Sequence, residues 1–361
     1  MATFHAPGRA NLIGEHTDYT DGLVLPAAID RGVTLDLDAG GDRIVVRSDA
    51  ADETVDVPAD GSSAPASGFG RFVAAVAAQL HAAGRAPVGF TGSLRSDLPQ
   101  GAGLSSSAAL EVVIALALQS VTDDAPTLEP IELAALCRRA EHAAVGVPSG
   151  IMDQAASILG RAGHGVLLDC GTLRHEHVPL PADHDLLVVD SGVRRTLEGS
   201  GYGRRTRELD ASLGVLDGRR PADVEVAELP ELLRDLDDVP ARRLRHVVTE
   251  NARVRRVVEA LAAGDLDAVG RLFDAGHASL RDDFEVSIPE LDALVELARE
   301  AGATAARMTG GGFGGAIIVL ARADDAATIA ERITTGYRGR FPGREPNALR
   351  CRAADGAHRL D

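Results

Sequence analysis

The stretch Leu98-Pro99-Gln100-Gly101-Ala102-Gly103-Leu104-Ser105-Ser106-Ser107-Ala108-Ala109-Leu110-Glu111 decides how the rest of the chain is read. Two glycines and three consecutive serines run into residues 108–121, an Ala/Leu/Val-rich segment with neither Gly nor Pro. The pattern predicts a helix starting near Ser105, whose hydroxyl would cap it by accepting a first-turn amide. That end carries unpaired N–H groups and a partial positive charge from the aligned peptide dipoles. Glycines ahead of it let backbone approach a ligand closely, which suits an anion and above all a phosphate. Such a turn is also an ordinary connector, and on these residues alone both readings stand. A Walker A loop needs Gly-Lys-Ser/Thr, yet the chain has no lysine at all: its 37 Lys/Arg positions are all arginine. The P-loop NTPase class is therefore excluded, and amides, hydroxyls and arginine would have to hold any nucleotide.

At 361 residues the chain suits about two domains. Its 45% hydrophobic and 25% charged content is that of a globular protein, and with 3% aromatics the core must be mostly Ala, Val, Leu and Ile. A net charge of −17 argues against nucleic acid or an anionic membrane as partner, though not against a nucleotide in a local basic pocket. Cys137, Cys170 and Cys351 are widely spaced and odd in number, which fits a reduced chain without zinc. No signal peptide or membrane span is legible, so a cytoplasmic location is expected.

Near the N-terminus, Gly8-Arg9-Ala10-Asn11-Leu12-Ile13-Gly14-Glu15-His16-Thr17-Asp18-Tyr19 sets four polar or aromatic side chains on a turn. Such a cluster can bind a polyhydroxylated ligand or form a plain surface loop. Short strands are expected over 23–29, 32–37 and 44–47, then a surface loop over 49–67 and a helix over 70–83. Residues 131–145 read as a helix with Glu141 near its C-terminal end, an unfavourable place for a carboxylate without a charge partner. Gly150-Ile151-Met152-Asp153-Gln154 follows, with Asp153 at the start of a new helix. Buried strands are expected over 165–169 and 186–190, charged helices over 207–300, a helix over 324–337 and a last strand over 347–352. Arg307-Met308-Thr309-Gly310-Gly311-Gly312-Phe313-Gly314-Gly315 places five glycines among six residues between apolar strands, as a tight hairpin would.

The segment 8–19 resembles the N-terminal signature of galactokinases, and Pro99–Ala109 is similar to the phosphate loop of the wider GHMP kinase superfamily. The Gly-rich 307–315 segment matches the superfamily's third motif. The resemblance covers nearly the whole chain and implies a two-domain α+β GHMP fold. An S5-domain-2-like N-terminal domain (1–190) and a ferredoxin-like C-terminal domain (191–361) would enclose the active site in the cleft between them. It implies ATP-dependent phosphorylation of the anomeric hydroxyl of galactose, by a monomer or weak homodimer that binds only small molecules. Carried over residue by residue, it makes Asp153 the catalytic base with Arg9 supporting the transferring group. It assigns Glu15, His16, Thr17, Asp18, Gly150 and Tyr202 to the sugar. Ser48, Gly101, Ala102, Gly103, Leu104, Ser105, Ser106 and Ser107 fall to the nucleotide, and Ser107 with Glu141 to Mg²⁺.

Thr20 and Ala316 stand where many galactokinases have Asn and Cys, which leaves kinases of N-acetylgalactosamine or L-arabinose as neighbouring readings. A non-catalytic galactokinase-like sensor is the alternative from another class, but Ser107-Ala108, Glu141 and Asp153 are all present. A dinucleotide-binding oxidoreductase fails, because no GxGxxG follows a strand with an acidic residue placed downstream.

Overall fold

The computed structural model describes residues 1–65, 67–99, 103–123, 128–146, 149–194 and 201–360. The first half of the chain runs β1 (Ala2–Ile13), β2 (Leu23–Ala39), β3 (Arg43–Ser48), β4 (Glu53–Pro58), α1 (Gly70–Ala82), β5 (Phe90–Ser96), α2 (Ser106–Ser120), α3 (Pro130–Val145), α4 (Met152–Leu159), β6 (His164–Asp169), β7 (His175–Pro179) and β8 (His184–Asp190). The second half runs α5 (Gly201–Leu213), α6 (Leu229–Leu232), α7 (Asp238–Ala263), α8 (Leu266–Asp282), α9 (Pro289–Glu300), β9 (Ala305–Thr309), β10 (Ala316–Arg322), α10 (Ala326–Arg340), β11 (Asn347–Cys351) and β12 (His358–Arg359).

An eight-stranded sheet in the order β12-β1-β2-β5-β3-β4, with β6 and β7 joined through β2, carries the first unit. Its pairs are antiparallel apart from β3 with β5. Helix α2 is apolar on nearly every side, and residues 108–115 are all buried. A helix without a polar face can only sit in the interior. It therefore presents its N-terminus from the middle of the core.

The second sheet has the order β11-β8-β10-β9. Along β10, Ala316, Ile318 and Leu320 join one apolar cluster with α7 and α8, while Ile317, Val319 and Ala321 join another with α9 and α10. A strand buried on both faces reads as a continuous apolar run, as this one does. The two sheets do not divide at residue 190: β8 already belongs to the second, and β12 returns to the first.

Three local expectations change. Strands 23–29 and 32–37 are one strand, β2; Pro26 is tolerated because it pairs with Asn11 beside a register shift in β1. Pro7 and Gly8, which punctuate the sequence like a turn, lie at another such shift inside β1. Within the expected loop 49–67, β4 alternates buried Val55 and Val57 with exposed Thr54 and Asp56, and the short polar alternation masked the strand. Among the described residues no helix is long and apolar enough to cross a membrane.

Candidate active site

Three distant segments converge at the N-terminus of α2. Arg9 projects from β1, and Asp153 sits in the first turn of α4, which is tied to β1 by the Ser157 hydroxyl donating to the Pro7 carbonyl at 2.7 Å. Arg9 donates from Nε and Nη2 to the two oxygens of Asp153 at 2.7 and 2.9 Å, a bidentate fork. Its Nη1 donates to the Gly103 carbonyl at 2.7 Å. The arginine side chain is only 7% exposed, against 29% for Asp153, so the carboxylate is the member of the pair that faces the opening. The turn bends through left-handed Gly103 (φ 73°) and Ser105 (φ 58°). Ser105 precedes the helix as expected but does not cap it: its hydroxyl donates to Asp153 instead. Leu104 is buried, and its carbonyl accepts the Arg9 amide at 3.2 Å. Ser106 is exposed at the helix start. Gly101 and Ala102 lie outside the described residues.

Two residues beyond Ser105, the Ser107 hydroxyl reaches Glu141 Oε1 at 3.4 Å, so the two residues that the resemblance assigns to a cation do meet. Ser149 donates to the other Glu141 oxygen, as does Gln154 Nε2 at 3.2 Å. Gln154 Nε2 also donates to Glu111 Oε2 at 2.9 Å. Burial, reinforced by Glu141, pushes Glu111 up to about 9, so this carboxyl is neutral near pH 7. Glu111 had no assigned role, yet it was visible as the one charged residue of an apolar helix.

The loop between β1 and β2 holds the polar cluster. Burial and neighbouring Asp153 raise the Asp18 carboxyl to about 7, with Arg9 pulling the other way. Gly150 packs so tightly on Asp18 that a Cβ there would overlap its carboxylate. His16 is buried among rings, its centroid 4.6 Å from Phe284, 5.6 Å from Tyr202 and 5.9 Å from Tyr19. Burial, with Asp18 and Asp153 adding, pushes the Tyr202 hydroxyl well above its ordinary value. Two of the expected sugar residues, Thr17 and Glu15, already have partners within the protein. Thr17 is fully buried and turns its hydroxyl to the Gly14 and Leu23 carbonyls, both at 2.8 Å, so it shapes the loop. Glu15 is 2% exposed, with Arg307 at 2.6 Å and Asn11 at 2.9 Å on its oxygens; any sugar contact must share them. Ser48 closes β3 and takes the Ala51 amide at 3.3 Å. The Gly-rich segment is a β9–β10 hairpin; a Cβ on Gly312 or Gly314 would overlap or crowd the Val286 and Val193 carbonyls.

Three family models match the chain: "GHMP kinases N terminal domain" over residues 71–161, "GHMP kinases C terminal" over 257–339, and "Galactokinase galactose-binding signature" over 2–36. A galactokinase of Roseiflexus sp. (strain RS-1) is 40% identical over 98% of this chain and 92% of its own length. The chain belongs to the galactokinase family. A second galactokinase, from Streptomyces coelicolor, is 42% identical over 92% of this chain and 87% of its own. The crystal structure of Lactococcus lactis galactokinase complexed with galactose superposes with a TM-score of 0.93 at 31% identity, covering 99% of this chain and 95% of that one. As a galactokinase-family member the chain is a sugar kinase with the two-domain GHMP fold. The galactose-binding signature spans β1, the polar loop and most of β2, which is where Arg9 and Asp18 lie.

Proposed function

We propose that the chain transfers the γ-phosphoryl group of ATP to the anomeric hydroxyl of galactose, giving galactose 1-phosphate and ADP, with Asp153 receiving the hydroxyl proton. The observation that carries this reading is the single carboxylate of Asp153 shared by the Arg9 fork and the Ser105 hydroxyl. A proton acceptor and an anion-binding turn are thereby within one hydrogen-bonded unit. Phosphoryl transfer is loose, so positioning and charge stabilisation carry most of the catalysis. Gly103, Leu104, Ser105, Ser106 and Ser107 would bind the phosphates through amides and hydroxyls, with Gly101 and Ala102 also assigned to the nucleotide by the resemblance and Ser48 towards it. Arg9 steadies the transferring group while orienting Asp153. A carboxylate is a weak base for an alcohol, so the proton leaves late, as charge moves onto phosphorus. Asp18, His16, Tyr202 and the Gly150 backbone read the other sugar hydroxyls, Glu15 from behind them.

The oxygen-only donor set of Ser107 and Glu141 fits Mg²⁺, a hard cation that usually takes few protein ligands and completes its shell with phosphate and water. Bound there, it would neutralise phosphate charge. Three buried free thiols support a reducing, cytoplasmic setting.

Coupled ADP release measured with galactose, N-acetylgalactosamine, L-arabinose and glucose tests the assignment. Galactose-dependent turnover is expected. A stronger response to another sugar, or none above background, overturns it.

A further inference from the structure

The sugar loop turns through left-handed backbone at three positions, Gly14 (φ 104°), His16 (φ 66°) and Asp21 (φ 58°), a conformation that glycine takes freely and that His and Asp take where their surroundings favour it. The surroundings come from α7, more than 220 residues away. Glu250 Oε1 accepts the Gly14 amide at 3.1 Å, and Asn251 Oδ1 accepts the Leu23 amide at 2.7 Å. His246 Nε2 donates to the Glu15 carbonyl at 3.2 Å. The loop is thus fastened at both ends, at Gly14 and Glu15 on one side and Leu23 on the other, by one face of one helix.

These three side chains are at most 1% exposed. Asn251 also donates to the Val247 carbonyl at 2.8 Å, which fixes the direction of its amide. Burial pulls His246 down to about 4, so the ring is neutral, with its proton on Nε2 and the Ser279 hydroxyl 2.9 Å from Nδ1. Glu250 has a second task. Arg307 Nη2 donates to both Glu250 and Glu15 at 2.6 Å, and Arg253 adds a bond to Glu250 at 2.7 Å. Burial pushes Glu15 up and would do the same to Glu250, but Arg307 and Arg253 hold Glu250 well below the usual range. Glu250 therefore keeps its charge. Arg307 lies on β9, whose Thr309 donates to the Asn11 carbonyl at 2.9 Å just before the Gly-rich hairpin. Sugar loop, helix and hairpin share one buried knot.

We propose that Glu250, Asn251 and His246 are positioning residues for sugar recognition, which set residues 14–23 in their binding shape before the sugar arrives. The inference rests on reading that loop as the sugar site.

Glu250→Gln and Asn251→Ala should each raise the galactose KM by about tenfold or more, leave the ATP KM within about twofold, and speed hydrogen exchange of the loop amides they hold by about tenfold. Asp265→Ala removes the α8 cap on the Ala268 amide without touching the loop; it should lower the melting temperature and leave the galactose KM within about twofold. In the unaltered protein without sugar, the Gly14 and Leu23 amides should exchange as slowly as the core amides of α7. That last measurement needs no variant to fold, and fast exchange there overturns the proposal. So does a galactose KM unmoved in either α7 variant, or an ATP KM rising in step. If Asp18→Ala also leaves the galactose KM alone, the sugar-loop reading has failed; if only the α7 variants do so, the clamp alone has failed.

Discussion

At the turn before α2 the chain bends through left-handed Gly103 and Ser105 and is held by Arg9 and Asp153, the side chains to which the proposed mechanism gives the chemistry. At the sugar loop it bends through left-handed Gly14 and His16 and is held from behind by Glu250, Asn251 and His246, which are sealed from solvent. On the proposed mechanism, support and chemistry reside in the same atoms in the first region. In the second they are separated, so the loop can be disturbed without touching a contact residue. Substitutions at the turn should therefore act on turnover, and substitutions around the loop on sugar affinity.

The largest effect is expected at Asp153. Asp153→Asn should lower kcat by about 10²–10⁴-fold while ATP affinity stays within about threefold, measured by coupled assay and calorimetry. Near-normal turnover would remove Asp153 as the proton acceptor. Next comes Glu141→Ala, which should raise the Mg²⁺ concentration for half-maximal rate by at least the roughly 10–100-fold that outer-shell partners contribute at metal sites. An unchanged metal titration would break the pairing of Ser107 with Glu141.

A smaller effect sharpens the contrast from the side of the loop. The folded protein holds Asp18 at about 7, above its ordinary 3.8, so protonation of this group favours the folded state. Its contribution to stability is complete below about pH 4 and is lost as pH rises through about 7. Sugar binding runs the opposite way, because the ionised carboxylate is the better acceptor of sugar hydroxyls. The galactose kcat/KM should thus rise between about pH 6 and 8 while the melting temperature of the free protein falls. Asp18→Asn should weaken galactose binding, flatten both profiles and raise the melting temperature at pH 8 by about 2–4 °C. A pH profile unchanged in that variant would assign the titration elsewhere.

Much of the turn could be read in the sequence because its parts are compact: a glycine-serine run leading into an apolar helix. The roles of Asp153 and Arg9, separated by 144 positions, come from the family resemblance alone, and the structure places the two side chains in contact. Ser105 was misjudged as a cap because propensity sees only the adjacent helix and not a carboxylate arriving from α4. The loop was less legible. Glu15, Thr17 and Asp18 look alike as polar turn residues, and only packing separates buried Glu15 and Thr17 from Asp18 beside the Arg9–Asp153 pair. Glu250 and Arg307 each look like ordinary charges, one on a helix full of charge and the other at a strand. Their fate was decided by a register between α7 and β9 that no local pattern records.

Arg9 and Asp153 are expected to act as one unit, and a double-mutant cycle on kcat tests that directly. If they act together, Arg9→Lys combined with Asp153→Asn should fall within about threefold of the worse single variant. Losses that multiply across the two positions would show two independent groups and contradict the account.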